Sequence, residues 1–192
     1  MSPTGIQQPA APGLQEQQIP QFAFGEAVEV PEKIIHEAVS ETASRHAHVV
    51  AIEHADDSIT YGALDAAAEQ LARYLRRCGL RPRESVVLLA QRSIPMVVAI
   101  LAILKNGCQY VPLDGGVASD AAVKHILADT KARVVLCLDR YKEKAEILAP
   151  KGTQVLRLDN DTQEGASRMA CERLAIPVKP DDSAYTIYTS GL

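Results

Sequence analysis

Apolar positions along this chain recur at two spacings, which predict helices separated by short strands. After Thr60, apolar residues return every three or four positions, the spacing that places side chains on one face of a helix: Leu64, Ala68, Leu71, Leu75 and Cys78. Residues 85–90 (SVVLLA) form a continuous apolar run, which is typical of a strand covered on both faces. The two patterns predict an amphipathic helix, ended by Gly79, and then a buried strand.

The alternation of predicted helices and strands continues to the end of the chain. Ser93 and Pro95 are suited to open an apolar, buried helix over 94–104, and Gly107 is suited to end it. The remaining patterns predict strands over 109–113, 134–138, 154–158 and 184–189 and helices near 119–129 and 141–148.

The first folded elements are predicted just after residue 30. Pro31 can open a helix whose apolar positions are Ile34, Ile35, Ala38 and Val39, and a short strand is predicted over 49–53. Along the whole folded portion, helices and strands alternate, which predicts an α/β fold with a mainly parallel sheet and helices on both faces. The sheet is expected to use strands near residues 49, 85, 109, 134, 154 and 185.

The beginning of the chain has a different composition. Residues 1–29 are rich in Pro, Gln, Ala and Gly and show no sustained periodicity. A segment of this kind buries too little apolar surface to offset the entropy lost on ordering. We therefore predict a disordered leader over 1–29 and a folded portion over 30–192.

The charge and cysteine content exclude several classes of protein. The 192 residues carry 20 Lys and Arg against 24 Asp and Glu, a net charge of −4, and no basic cluster offsets it, so nucleic-acid binding is disfavoured. The four cysteines lie far apart and form no CxxC pair, which favours free thiols over a zinc site or a disulfide framework: Cys78, Cys108, Cys137 and Cys171.

Membrane insertion and secretion are not indicated by the sequence. The most apolar run, residues 94–104, is shorter than the ~18 residues that a membrane span needs. The residues after Met1 form neither a basic segment nor an apolar stretch, so no secretory signal is visible. The expected location is the cytoplasm.

Common catalytic motifs do not account for this sequence. The five histidines lie in separate predicted elements or on short surface stretches, so no metal ligand is assigned. Ser190 follows Tyr188 and Thr189 and therefore lacks the G-x-S-x-G context of a nucleophilic serine. No complete phosphate-loop or dinucleotide fingerprint is present, and no catalytic residue is assigned.

One group of residues could bind a phosphate. Thr189, Ser190 and Gly191 follow directly on the predicted strand 184–189. Hydroxyl groups and backbone N–H groups at the carboxyl end of a strand can donate hydrogen bonds to a ligand in the crevice of an open α/β sheet. The alternative for this tripeptide alone is a solvent-exposed strand end.

Three segments in order resemble the core motifs of amino-acid adenylation domains. Residues 59–64 (ITYGAL) resemble the first motif, 104–114 (LKNGCQYVPLD) the second, L-K-A-G-x-A-Y-V-P-[IL]-D, and 183–191 (SAYTIYTSG) the start of the third. The chain is thus similar to the adenylate-forming superfamily, most of all to the adenylation domains of nonribosomal peptide synthetases. In the first motif, Tyr61 and Leu64 are expected to start a helix and fix its packing. Four positions of the second motif are expected to end a helix and to fix the next strand and its turn: Gly107, Tyr110, Pro112 and Asp114.

The resemblance implies a function. Such domains use ATP and Mg²⁺ to convert a carboxylic acid, usually an amino acid, to an acyl-adenylate, and then pass the acyl group to the phosphopantetheine thiol of a carrier-protein domain. Thr189, Ser190 and Gly191 would belong to the phosphate loop.

The chain departs from the family pattern in two places. Leu192 stands where the third motif has a serine or threonine, and the later motifs do not follow, so we expect a truncated amino-terminal portion that is inactive alone. Asp114 precedes Gly115 and Gly116 where the family commonly has D-P-x-x-P-x-x-R. This departure leaves room for a relative of acyl- or aryl-CoA ligases, and the early end leaves room for a non-catalytic α/β protein with a binding or regulatory role.

Overall fold

The computed structural model describes residues 34–158, 165–169 and 173–189, so the predicted leader over 1–29 lies outside the described residues. The helices are α1 Ile35–Arg45, α2 Tyr61–Arg77, α3 Ile94–Lys105, α4 Asp120–Thr130 and α5 Lys142–Leu148. The strands are β1 Val50–His54, β2 Asp57–Thr60, β3 Ser85–Leu89, β4 Gln109–Leu113, β5 Val134–Cys137 and β6 Gln154–Arg157. A short 3₁₀ turn, Asp139–Tyr141, precedes α5.

Three helices begin where the sequence offers a capping side chain. The hydroxyl groups of Thr60, Ser93 and Ser119 each accept a hydrogen bond, at 3.2–3.3 Å, from the N–H group three residues further on. These bonds satisfy one of the N–H groups that the first turn of a helix leaves unpaired. The predicted starts of α2, α3 and α4 are therefore confirmed to within a residue.

The main sheet confirms the predicted architecture. Its four strands are all parallel, in the order β4-β3-β5-β6. Alternate side chains of β3 point to opposite faces: Leu88 packs in the layer of α2 and α3, whereas Val87 packs in the layer of α4 and α5. The sheet is therefore covered by helices on both faces, and the second half of α3 is buried as predicted.

The predicted strand over 49–53 does not join this sheet, which corrects the prediction. β1 pairs antiparallel with β2 in a separate two-stranded sheet, and β2 was not predicted. Ala55, with φ at 53°, and Asp56 reverse the chain between the two strands. Because this tight turn brings β2 alongside β1, the backbone of β1 finds its partners locally instead of in the parallel sheet.

The predicted strand over 184–189 is confirmed in direction but not in extent. It forms one parallel bridge, between Tyr110 and Tyr185, at the β4 edge of the sheet. The Tyr110 N–H group donates to the Ala184 carbonyl at 3.1 Å, and the Thr186 N–H group donates to the Tyr110 carbonyl at 3.0 Å. This segment therefore extends the order of the sheet beyond β4.

A buried ion pair ties three helices together. The Lys105 Nζ atom, at the end of α3, lies 2.6 Å from Glu69 Oε1 and 2.9 Å from Asp65 Oδ1 of α2, and it donates to Ser40 Oγ of α1 at 2.8 Å. Glu69 Oε2 accepts from the Leu174 N–H group at 2.9 Å. The Lys105 and Glu69 side chains are only 2% and 4% exposed, so each depends on the other to compensate its charge.

The described cysteines are free thiols, and Cys171 lies outside the described residues. Burial raises the pKa of the Cys108 thiol to about 11. The thiol donates a hydrogen bond to the Arg81 carbonyl at 2.9 Å. No helix within the described ranges is both long and apolar enough to cross a membrane.

The raised pKa of Cys108 predicts a loss of stability in alkali. The unfolded chain ionises this thiol near pH 9, whereas the folded chain keeps it protonated until its pKa of about 11 is reached. Its contribution is therefore fully present below pH 9 and is lost as the pH rises towards 11, by about 2–3 kcal/mol. Urea unfolding at several pH values measures this, with Cys108→Ala as the control for the other groups that titrate. Equal slopes for the two chains between pH 9 and 11 would contradict the assignment.

Candidate functional site

Of the three predicted phosphate-binding residues, one lies in the part of the chain that the structure describes. Thr189 is described and exposed, whereas Ser190 and Gly191 lie outside the described residues. The bridge pairs Tyr185, four residues before Thr189, with Tyr110 of β4, and the hydrogen bonds of this pairing reach as far as Thr186. Thr189 thus follows a segment that runs parallel to β4, and open parallel sheets bind ligands outside the carboxyl ends of their strands.

The loop after β4 forms a tight turn at this edge. Asp114 Oδ1 accepts from the Gly116 N–H group at 2.8 Å, and the Asp114 carbonyl accepts from the Ala118 N–H group at 2.8 Å. Asp114 therefore shapes the turn, as the sequence predicted for this position.

Packing favours glycine at one position of this turn. A Cβ atom on Gly115 would lie 2.5 Å from the Tyr141 ring, whereas one on Gly116 would lie 2.7 Å from Gln91 Nε2, the end of a flexible side chain that can move away. Tyr141 and Gln91 come from the loops after β5 and β3, so the glycines let three carboxyl-edge loops approach each other. At Gly115, where this sequence departs from the D-P-x-x-P pattern, the backbone therefore lies against the Tyr141 ring.

Two basic side chains near this edge are already engaged. Lys144 Nζ donates to the Ala118 carbonyl at 2.6 Å and lies 3.3 Å from Asp120 Oδ1. Arg157 forms an ion pair with Asp139 at 3.0 Å. Both cations therefore hold carboxyl-edge loops in place.

Tyr188, directly before Thr189, is held by a side chain of α4. Its hydroxyl group donates a short hydrogen bond to Asp129 Oδ2, and His125 packs edge-on against its ring at 6.4 Å between centroids. This hydrogen bond raises the pKa of Tyr188 above its usual range, so the hydroxyl stays protonated. Sequence reasoning did not find the pair, because nothing in a single sequence connects Asp129 with a tyrosine 59 positions away.

The first two motifs have the structural roles that the sequence predicted. Tyr61 begins α2, and Leu64 is 4% exposed in the core. Gly107 has φ at 64°, a backbone conformation that favours glycine, directly after α3. Asn106, where the second motif usually has alanine, is buried and donates to the Ala72 carbonyl of α2 at 3.0 Å. The first motif thus begins α2, and the second ends α3 just before β4.

The part of the chain that the structure describes contains no group of three or more His, Cys, Asp and Glu side chains that could hold a metal ion.

Comparison with known sequences gives a consistent result. A family model described as AMP-binding enzyme matches residues 39–191. Adenylate-forming reductase 03009 of Coprinopsis cinerea is 34% identical over 170 residues, which are 88% of this chain and 16% of the reductase. Surfactin synthase subunit 2 of Bacillus subtilis is 34% identical over 200 residues, which cover 100% of this chain and 5% of the synthase.

Solved structures share the fold. The nonribosomal peptide synthetase FmoA3 bound to α-methyl-L-serine-AMP aligns with a TM-score of 0.76 and 29% identity, over 86% of this chain and 18% of that chain. The anthranilate CoA ligase AuaEII aligns with a TM-score of 0.75 over 83% of this chain and 32% of that chain, and at 20% identity it shows the fold alone. The chain spans only a small part of these relatives, from 5% to 32% of their lengths.

Proposed function

The chain belongs to the AMP-binding enzyme family, and from this premise we propose that it is the amino-terminal part of an adenylating domain and contributes to its ATP phosphate site. The observation that carries the proposal is that the family match runs to residue 191 and so includes Thr189, which follows the segment paired with β4. Ligands of open α/β sheets bind outside the carboxyl ends of the strands.

The proposed reaction joins a carboxylic acid, such as an amino acid, to AMP. A carboxylate oxygen attacks the α-phosphorus of ATP, the bond from that phosphorus to the oxygen of the β-phosphate breaks, and pyrophosphate leaves with the electron pair. The products are an acyl-adenylate and pyrophosphate. The barrier to such a reaction falls when the phosphates are positioned and their developing charge is met by fixed donors.

Thr189, Ser190 and Gly191 are the residues that we assign to phosphate binding. The two hydroxyl groups and the backbone N–H groups of this tripeptide donate hydrogen bonds to phosphate oxygens, and Gly191 lets the ligand approach the backbone closely. The exposed position of Thr189 after the bridge to β4 supports its role.

The acceptor in the second step is proposed to be the phosphopantetheine thiol of a carrier-protein domain. The thiolate sulfur attacks the acyl carbonyl carbon, and AMP leaves with the electrons of the acyl–oxygen bond. The similarity to FmoA3 supports a carrier domain over free coenzyme A, because FmoA3 is a nonribosomal peptide synthetase by name.

Acid-dependent exchange of labelled pyrophosphate into ATP tests the proposed function. The assay uses the polypeptide encoded by the complete reading frame that contains these residues, with a panel of amino and aryl acids. We expect at least one acid to support exchange, and Thr189→Val to lower it by about tenfold or more through loss of a phosphate donor.

The matched control is Thr153→Val, which makes the same change directly before β6, at the amino edge of the sheet. This variant should keep the wild-type rate. Absence of exchange with every acid would reject adenylation and favour a non-catalytic binding role. Equal losses in the two variants would reject the assignment of Thr189.

A further inference from the structure

We propose that Asn106 is a deamidation site that folding protects and unfolding exposes, so that a chain modified while unfolded no longer returns to the folded state. Asn106 and Gly107 lie between α3 and β4. The sequence of this pair favours the reaction, whereas its packing prevents it. The modification is independent of the proposed function, because neither residue belongs to the assigned phosphate site.

Deamidation of an Asn-Gly pair begins at the backbone nitrogen of the glycine. In a flexible chain this nitrogen attacks the side-chain amide carbon of the asparagine, and the bond from that carbon to Nδ2 breaks. Ammonia leaves with the electron pair of this bond and the proton that the backbone nitrogen loses. Water then opens the cyclic imide at either carbonyl and gives aspartate or isoaspartate. Glycine favours the attack because it has no side chain to hinder the approach of its nitrogen.

In the folded chain, both reacting groups are held in place. Asn106 is fully buried, and its Nδ2 atom donates to the carbonyls of Ala72 at 3.0 Å and Ala102 at 2.9 Å. The attacking group, the Gly107 N–H, donates to the Leu104 carbonyl at 2.9 Å. Reaction therefore requires the end of α3 to separate from α2, which breaks these bonds together.

The environment of Asn106 suits an amide and not a carboxylate. Its Nδ2 group satisfies two carbonyls, whereas its Oδ1 atom is buried without a hydrogen-bond donor among the described residues. An ionised carboxylate at this position donates to neither carbonyl and adds a charge for which these residues provide no donor. The product of deamidation therefore has a high cost of burial.

The reaction gives the unfolded state a covalent route that refolding does not reverse. A chain modified at Asn106 loses the contacts that join the end of α3 to α2, so the loss of folded protein becomes irreversible. The second asparagine of the chain, Asn160, precedes Asp161 instead of a glycine and lies outside the described residues. It provides an internal comparison in the same peptide maps.

Peptide mapping by mass spectrometry tests the protection. The 192-residue chain is incubated in native buffer and, in parallel, in urea at a concentration that unfolds it. We expect Asn106 to deamidate at least about a hundredfold faster in urea, because only a small fraction of native chains is open at any time. Asn106→Gln is the control, since its longer side chain disfavours the imide, and position 106 should stay unmodified in urea. Equal rates for the wild type in the two buffers would overturn the proposal.

Destabilising variants remote from Asn106 test whether unfolding controls the reaction. Leu136→Ala removes a fully buried side chain from β5 and should speed deamidation in native buffer by about thirtyfold or more, in proportion to its larger unfolded population. Ile147→Ala is the matched control, because Ile147 is 72% exposed, and it should change the rate by less than about threefold. If urea unfolding confirms that Leu136→Ala is less stable but its deamidation rate equals that of the wild type, unfolding does not control the reaction.

Asn106→Asp tests the consequence for refolding. Asn106→Ala loses the same two donated hydrogen bonds without adding a charge, so it is the matched control. At pH 7 we expect the unfolding equilibrium constant of Asn106→Asp to exceed that of Asn106→Ala by about tenfold or more, and the difference to shrink in acid as the carboxylate is protonated. Equal stability of the two variants at pH 7 would show that deamidation does not prevent refolding.

Discussion

Replacement of Lys105 by methionine is expected to lower the free energy of unfolding by about 3–5 kcal/mol. The substitution keeps the length of the side chain but removes its charge. Glu69 is then left with a buried carboxylate whose ammonium partner, at 2.6 Å, has gone. Within the described part of the chain, the Leu174 N–H group, at 2.9 Å, is the hydrogen-bond donor that Glu69 keeps. An uncompensated charge in the core is far more costly than the loss of the pair itself.

Urea unfolding of the 192-residue chain, followed by circular dichroism, measures this effect. The matched control is Lys142→Met, which breaks the exposed pair of Lys142 with Glu146 at 3.5 Å and should cost less than about 1 kcal/mol. Adding Glu69→Leu to Lys105→Met should recover part of the loss, because the buried carboxylate is removed with its partner. A loss in Lys105→Met no larger than in Lys142→Met would show that the pair is not a buried charge pair in solution.

A polypeptide of these 192 residues alone is expected to exchange pyrophosphate at least about a thousandfold more slowly than the product of the complete reading frame. By resemblance to the family, the second glycine and the lysine of the phosphate loop follow the third motif, and these 192 residues do not contain them. The transition state would thus lack much of the charge stabilisation at the transferring phosphate.

The two polypeptides are compared in one exchange assay with the same acids and equal molar amounts. Gly191→Leu in the 192-residue chain shows whether any residual rate comes from the tripeptide. Far-ultraviolet circular dichroism confirms that the shorter chain is folded. The prediction would be wrong if the 192-residue chain exchanged pyrophosphate nearly as fast as the product of the complete reading frame and Gly191→Leu abolished that exchange. The 192 residues would then suffice for catalysis.

Local signals explain why most elements were predictable from the sequence. The caps at Thr60, Ser93 and Ser119 and the positive-φ glycines after α2 and α3 lie within a few residues of the boundaries that they set. The buried strands were visible because both faces of a covered parallel strand must be apolar. The candidate tripeptide was found in the same way, from a strand that runs directly into small hydroxyl residues.

Contacts between distant residues explain what the sequence did not show. The strand over 49–53 has the composition of any short strand. Its pairing with β2 depends on a turn at Ala55, where φ is 53°, and an alanine in a sequence does not predict a positive φ. The partners of Lys105 and Tyr188 lie 36 and 59 positions away along the chain. A single sequence carries no signal for a pairing at such a distance.

By itself, the sequence determined the α/β class, the order of the elements, and the family to which its three motifs point, because spacing, caps and motifs are local properties of the chain. Only the tertiary structure decided which strands share a sheet, that Gly115 must lack a side chain beneath Tyr141, and that Asp129 holds the residue before Thr189. These features arise when packing of the helices on the sheet brings remote side chains within hydrogen-bonding or van der Waals distance, and that proximity is a property of the folded chain.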